Sequence, residues 1–216
     1  MSLSYTPAVK CLYIDLASNK GLLALVKEKS VTASDHVDHR LGDQELMPRV
    51  EGVLQIANCK WGDLTQIACV IGPGGFMSLR VGVALANTLA DQLKIPIAGV
   101  HLSDLYATRI SNEQVAGSNY VWLHSTKKQE LFVRGFGSYA KQWPEATHVQ
   151  LKDFINVMPQ PMHWVGELIP EHQAALAVVG ALRAMPLHDV EEILPAFLQH
   201  QEFKKQILEP WYGRGW

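Results

Sequence analysis

Two groups of residues in this 216-residue chain are of types and spacings that could do chemistry. The first is Asp15 together with the turn Gly72-Pro73-Gly74-Gly75. Glycine admits positive φ and close backbone approach, and proline holds φ near about −65°. A turn of this kind that feeds a helix presents unpaired N–H groups at the positive end of the helix dipole, which suits a phosphate. Asp15, at the end of the first apolar run, adds a carboxylate. The second group is Asp35-His36-Val37-Asp38-His39, whose imidazoles and carboxylates are of the types zinc accepts.

Each group also has a plain structural reading. The glycines let a strand and a helix pack closely, Asp15 ends a strand, and 35–39 is a solvated loop from which no metal site is expected. No Gly-Lys-Ser/Thr supplies a P-loop cation and magnesium ligand, and no Gly-x-Gly-x-x-Gly is present. Asp15 is followed by Leu16-Ala17-Ser18, where a phosphate loop would carry Gly and Thr or Ser. The chain has no nucleophile elbow and no His-Glu-x-x-His, so no catalytic residues and no cofactor are assigned.

The elements that position these residues follow from periodicity. Apolar runs at 11–15 and 21–26 around the turn Ala17-Ser18-Asn19-Lys20 predict a β-hairpin, and a third strand is expected over 30–36. A helix is expected at 44–58, with Leu46, Val50, Val53, Leu54 and Ala57 on one face and Pro48 tolerable only near its first turn. A β-branched run at 64–71 enters the glycine turn, and a helix at 79–93 leaves it. In that helix Leu79, Val83, Ala86, Ala90 and Leu93 form an apolar face, and Gly82, Ala86 and Ala90 form a stripe of small side chains. The stripe admits a close neighbour, either the sheet beneath or a helix across a subunit boundary.

A polar stretch at 111–119 predicts a lobe boundary. Beyond it come strands at 120–124 and 130–136 joined by Ser125-Thr126-Lys127-Lys128-Gln129, a helix at 151–158, a strand at 162–166 and a helix at 171–185 ended by Pro186. The expected organisation is a first lobe at 1–110, a smaller second lobe at 111–200 and a tail at 201–216. Lys127 and Lys128 read as a solvated turn or as a contact for nucleic-acid phosphate or an acidic partner. The tail Trp211-Tyr212-Gly213-Arg214-Gly215-Trp216 could stack on RNA or dock on its own surface.

Lys and Arg total 19 against 21 Asp and Glu, so a net charge of −2 gives no whole-chain attraction to nucleic acid or an anionic membrane. The three cysteines lack metal-ligand spacing and fit a reducing cytosol. With no signal-peptide pattern at Met-Ser-Leu-Ser-Tyr-Thr-Pro and no long apolar run, the protein is expected to be cytoplasmic and not membrane-bound.

Gly72-Pro73-Gly74-x-Phe76-x-x-Leu79-Arg80-Val81-Gly82, followed by Ile95-Pro96-Ile97-Ala98-Gly99-Val100, resembles the YeaZ/TsaB family signature Gly-Pro-Gly-Ser-Phe-Thr-Gly-Leu-Arg-Val/Ile-Gly. Gly75, Met77 and Ser78 depart from it, which marks a divergent member. The catalytic relatives of TsaD type carry His-His-x-x-x-His after this point, whereas His101-Leu102-Ser103-Asp104-Leu105 keeps one imidazole. Ser125 stands where the family has an aspartate, and Leu194-Pro195-Ala196-Phe197-Leu198 is similar to its Pro-x-Tyr-Leu-Arg element.

The resemblance implies an actin-like (ribonuclease H-like) ATPase fold, an α/β architecture of two lobes, each a mixed sheet flanked by helices. It implies a non-catalytic scaffold subunit of the machinery that makes N6-threonylcarbamoyladenosine (t6A) in tRNA. Its partners would be a TsaD-type catalytic subunit, a TsaE-type ATPase and tRNA through the complex, with a homodimer also compatible. The expected pairing surface is Leu46, Met47, Val50, Leu79, Arg80, Gly82, Val83 and Ala86, with Asn87 at its rim. Asp15, Gly72, Gly74 and Gly75 would be a vestigial phosphate site. The alternatives are an actin-like nucleotide hydrolase using Asp15 and the glycine turn, and a metal-dependent peptidase.

Overall fold

The structure is a computed structural model that describes residues 8–37, 41, 44–110, 119–158, 160–180 and 182–213. The lobe boundary expected at 111–119 falls almost wholly outside them, as do His39 and Arg214 to Trp216. The chain divides into two compact units, one of Met1–Ile71, Met77–Val100 and Val190–Pro210, the other of Gly72–Phe76, His101–Asp189 and Trp211–Trp216.

The first unit is built on a five-stranded sheet in the order β3-β2-β1-β4-β5. Its strands are β1 (Lys10–Asp15), β2 (Gly21–Lys27), β3 (Ser30–Val37), β4 (Gln66–Gly72) and β5 (Ile97–His101). β1 and β2 form the expected hairpin with Lys10 opposite Lys27 and Asp15 opposite Leu22, β3 continues antiparallel, and β4 lies parallel to β1. β1 and β2 are buried almost without interruption, as central strands covered on both faces should be.

Helices α1 (Leu46–Ile56) and α2 (Phe76–Leu93) bring Val50, Val53, Val83 and Ala86 into one core with Leu12, Ile14, Leu23 and Ile67 of the strands. Pro48 falls in the first turn of α1, where its missing N–H breaks no helical bond. α2 begins three residues earlier than periodicity marked, directly from the glycine turn, and Lys94 at φ 58° ends it.

The second unit repeats this plan. β6 (Tyr120–Lys127), β7 (Glu130–Phe136), β8 (Thr147–Gln150), β9 (Met162–Glu167) and β10 (Leu182–Ala184) stand in the order β10-β9-β6-β7-β8. β6, β7 and β8 form an antiparallel meander while β9 runs parallel to β6 and β10 parallel to β9. The first strand of each sheet is thus flanked by its hairpin partner on one side and by a parallel strand on the other.

Helices α3 (Leu102–Thr108), α4 (Leu151–Val157) and α5 (Pro170–Val179) accompany this sheet. The helix expected over 171–185 stops at Val179, because Gly180 is extended and Leu182 instead pairs with Met162 as β10.

The expected division at 110 and 200 differs from these units. Helix α6 (Val190–Gln199) packs against β3 and β2, and Leu208 joins the first core, so the segment expected to close the second lobe belongs with the first. Trp211 returns to the second unit, where its ring meets His101 at 4.6 Å and Phe132 at 5.6 Å.

Candidate functional site

Asp15 ends β1 and is 3% exposed. Its Oδ1 accepts the backbone N–H groups of Ala17 at 2.9 Å and Ser18 at 3.0 Å, and the Ser18 hydroxyl donates to Oδ2 at 2.5 Å. The carboxylate folds back on its own hairpin turn, as short acidic side chains do where a strand gives way to a turn.

The glycine turn joins β4 to α2. Gly72 sits at φ 143°, a conformation only glycine adopts without strain, and the peptide to Pro73 is cis. Gly74 and Gly75 are half-buried, and Phe76 stacks on Tyr212 with ring centroids 5.1 Å apart.

The helix residues expected to meet a partner separate into two sets. Leu46, Val50, Leu79, Val83 and Ala86 are each at most 4% exposed, and Gly82 is buried with an added Cβ 3.5 Å from the Leu16 side chain. Leu46, Val50, Val83 and Ala86 join the unit's own core, Leu79 is buried as well, and the bare face at Gly82 lies against Leu16. Met47, at 38%, and Arg80 remain on the surface. Asn87, expected at a rim, has both ends of its amide engaged by the backbone of Leu208.

At the matching position of the second unit stands Ser125, near the end of β6. Its oxygen lies 2.7 Å from Nδ1 of His172 and accepts the Ile169 N–H at 3.2 Å, and His172 Nε2 lies 2.9 Å from the Lys128 carbonyl. A carbonyl only accepts, so Nε2 carries the ring proton, Nδ1 is an acceptor and the serine hydroxyl donates to it. Both side chains are buried. Sequence reading singled out Ser125 but not His172, which lies 47 positions away with no local motif to mark it. The exposed Lys127 and Lys128 meet Glu130 at 3.7 Å and Glu171 at 3.3 Å, as a solvated hairpin tip does.

His101 caps α3: its Nδ1 accepts the Ser103 N–H at 3.2 Å and lies 2.9 Å from the Ser103 hydroxyl. Burial pushes its pKa down to about 4. Deeper in the same unit the His124 ring lies parallel to Trp122 with Nδ1 3.6 Å from Glu167, and burial lowers its pKa as well. Of the 35–39 group, His36 pairs with Glu191 at 3.0 Å and Asp35 with Arg49 at 3.2 Å. Among the described residues no group of three or more His, Cys, Asp or Glu is placed to hold a metal. The three thiols are buried, and burial pushes Cys11 up to about 12 and raises Cys69 as well, so neither supplies a thiolate.

Two mixed five-stranded sheets flanked by helices, with the same strand order in each, define the actin-like ATPase fold class. Among solved structures, an uncharacterized protein with similarity to peptidase YeaZ from Pseudomonas aeruginosa superposes with a TM-score of 0.66 at 18% identity, over 95% of this chain and 100% of that one. YeaZ from Pseudomonas aeruginosa gives 0.56 at 21% identity, over 79% and 91%. At these identities the likeness concerns the fold.

The family model described as TsaD: tRNA N6-adenosine threonylcarbamoyltransferase matches residues 36–158, more than half of the chain. The chain belongs to this family and, within it, is a divergent TsaB/YeaZ member. It is 29% identical over 92 residues to the tRNA threonylcarbamoyladenosine biosynthesis protein TsaB of Escherichia coli, covering 43% of this chain and 40% of the relative. It is 34% identical over 91 residues to the Bacillus subtilis protein of the same name, covering 41% and 39%. To the tRNA N6-adenosine threonylcarbamoyltransferase of Neisseria meningitidis serogroup A it is 30% identical over 133 residues, covering 60% and 35%. The matches thus span about half or less of these curated relatives.

Proposed function

We propose that the chain is a non-catalytic scaffold subunit in the biosynthesis of tRNA N6-threonylcarbamoyladenosine, pairing with a TsaD-type catalytic subunit. The observation that carries this reading is the internal use of Asp15, whose carboxylate holds its own turn through Ala17 and Ser18. A fold whose strand-end carboxylate is committed in this way is kept for its surface. The TsaB-named relatives support the pathway.

The pairing surface is the solvent side of α1 and α2. Met47 at 38% and Met77 at 56% exposure supply apolar area, and the exposed Arg80 supplies a polar rim. A stable interface of this kind buries about 1,600 Å² in total. The assembled pair would recruit a TsaE-type ATPase and act on tRNA in the cytoplasm, and without its partner the same surface would support a homodimer. No described helix is long and apolar enough to cross a membrane.

Size exclusion with light scattering, on the chain alone and mixed with the TsaD-type protein of the same genome, tests this. A heterodimer peak lost in Met77→Glu supports the reading. Absence of any complex, together with magnesium-dependent ATP binding that Asp15→Ala removes, would replace it with a nucleotide hydrolase.

A further inference from the structure

The first sheet ends at β5, and the chain returns to cover that edge. An edge strand turns the backbone N–H and C=O groups of alternate residues outward, a template for any second strand. At Ile97 both groups are taken: the Ile97 N–H donates to the Lys204 carbonyl at 2.8 Å, and the Lys204 N–H donates to the Ile97 carbonyl at 3.1 Å, as an isolated antiparallel bridge. The Gln206 side-chain amide donates to the same Ile97 carbonyl at 3.2 Å.

Asn87 of α2 fixes the far end of this strap. Its Nδ2 donates to the Leu208 carbonyl and its Oδ1 accepts the Leu208 N–H, both at 2.9 Å. The Leu208 side chain is 8% exposed and lies over Gly99, where an added Cβ would stand 3.2 Å from it. Glycine at 99 therefore opens the slot that Leu208 fills.

The hold is nevertheless narrow. The bonds gather at Ile97 and Asn87, Ile207 between them is 82% exposed, and a groove of about 560 Å³ runs between 205–207 and the end of α2.

We propose that the strap from Lys204 to Leu208 is an edge guard, which keeps β5 of a second copy of this chain from pairing with β5 strand to strand. The second copy is the occupant because an antiparallel β5 pairing is isologous: the same edge serves both partners and the contact closes as a dimer. With the strap in place Ile97 has no free backbone group and Leu208 fills the face beside Gly99. With the strap displaced, Ile97 and Gly99 present their backbone groups to solvent together. The guard does not rest on the helix-pairing reading, since β5 and the solvent side of α1 and α2 are different surfaces.

The test uses the full chain with Asn87→Ala, which removes both bonds to Leu208, and with Lys204→Pro, which removes one bridge bond at an exposed position and spares the core. Light scattering over a concentration series is read beside amide hydrogen exchange at Ile97 and Gly99. Release of the strap is expected to speed exchange at Ile97 at low concentration and to strengthen self-association at least about tenfold, which is roughly 1.4 kcal/mol. Protection at Ile97 should then return, and Gly99 should gain it, as the dimer forms. Faster exchange with an unchanged mass overturns the guard, and so does a dimer that leaves these amides unprotected. Exchange as slow as in the unaltered chain in both variants also overturns it, because the named bonds would not be what holds the strap. Met77→Glu, which addresses the helix surface, should leave amide exchange at Ile97 and Gly99 unchanged in both the free and the associated chain.

Discussion

The hydroxyl of Ser125 on β6 donates to Nδ1 of His172 on α5 across 2.7 Å, and the opposite ring nitrogen reaches the Lys128 carbonyl at 2.9 Å. One buried imidazole thus ties the end of a strand, the hairpin after it and the first turn of a helix. Replacing it by alanine leaves the Ser125 hydroxyl and the Lys128 carbonyl without their partner. His172→Ala is expected to lower unfolding free energy by about 2–4 kcal/mol. His172→Gln, able to reach one of the two partners, should recover part of the loss in urea melts.

Asp15 gives a prediction that separates structure from chemistry. Asp15→Ala leaves the N–H groups of Ala17 and Ser18 without their acceptor and should destabilise the first unit by about 1–3 kcal/mol. Calorimetry with magnesium and ATP should show no binding heat either before or after the substitution. Binding that vanishes with Asp15 would restore a phosphate role.

The two faces of the long helix should respond differently to charge. Val83 is 2% exposed and Met77 56%. Val83→Glu would bury a carboxylate in the first core and cost several kcal/mol, roughly the penalty of an unpaired buried charge. Met77→Glu should shift the melting temperature little and weaken TsaD-type partner binding at least about tenfold, or about 1.4 kcal/mol. Thermal melts of both variants, with partner titration of the second, check this.

Acid should loosen the second unit through His101. Its pKa is about 4 in the folded chain against an ordinary 6.5, so folding favours the neutral ring. That stability is fully present above pH 6.5 and is lost as pH falls toward 4, when protonation competes with the Ser103 N–H at Nδ1. The full effect is about 3 kcal/mol by linkage, and partial solvent access at the ring reduces it to roughly 2. His124, lowered by burial, acts in the same direction. Melting temperatures between pH 7.5 and 4.5 should fall in the unaltered chain and fall less in His101→Gln.

Much of the first unit was legible because its signals are local. The hairpin of β1 and β2, the glycine turn and the apolar face of α2 are each set by neighbours within a few residues, and periodicity placed them. The same pattern does not say which neighbour it serves: Leu79, Val83 and Ala86 are spaced alike whether a helix faces its own sheet or another chain. What long-range pairing decides stayed hidden. The 171–185 stretch reads as one helix until Leu182 pairs with Met162, and nothing near Gln201 to Pro210 announces that Ile97 and Asn87 await it. His172 and Ser125 belong to this class as well.

The strand order shared by the two sheets gives Asp15 and Ser125 comparable places, each near the carboxyl end of the first strand of its unit. One is closed by Ala17 and Ser18, the other by His172 and Ile169. The closures use unrelated side chains and arise in different segments, so no single substitution reopens both. A substitution at Asp15 therefore leaves the closure at Ser125 as it stands, and each strand end answers only to the segment that folds over it.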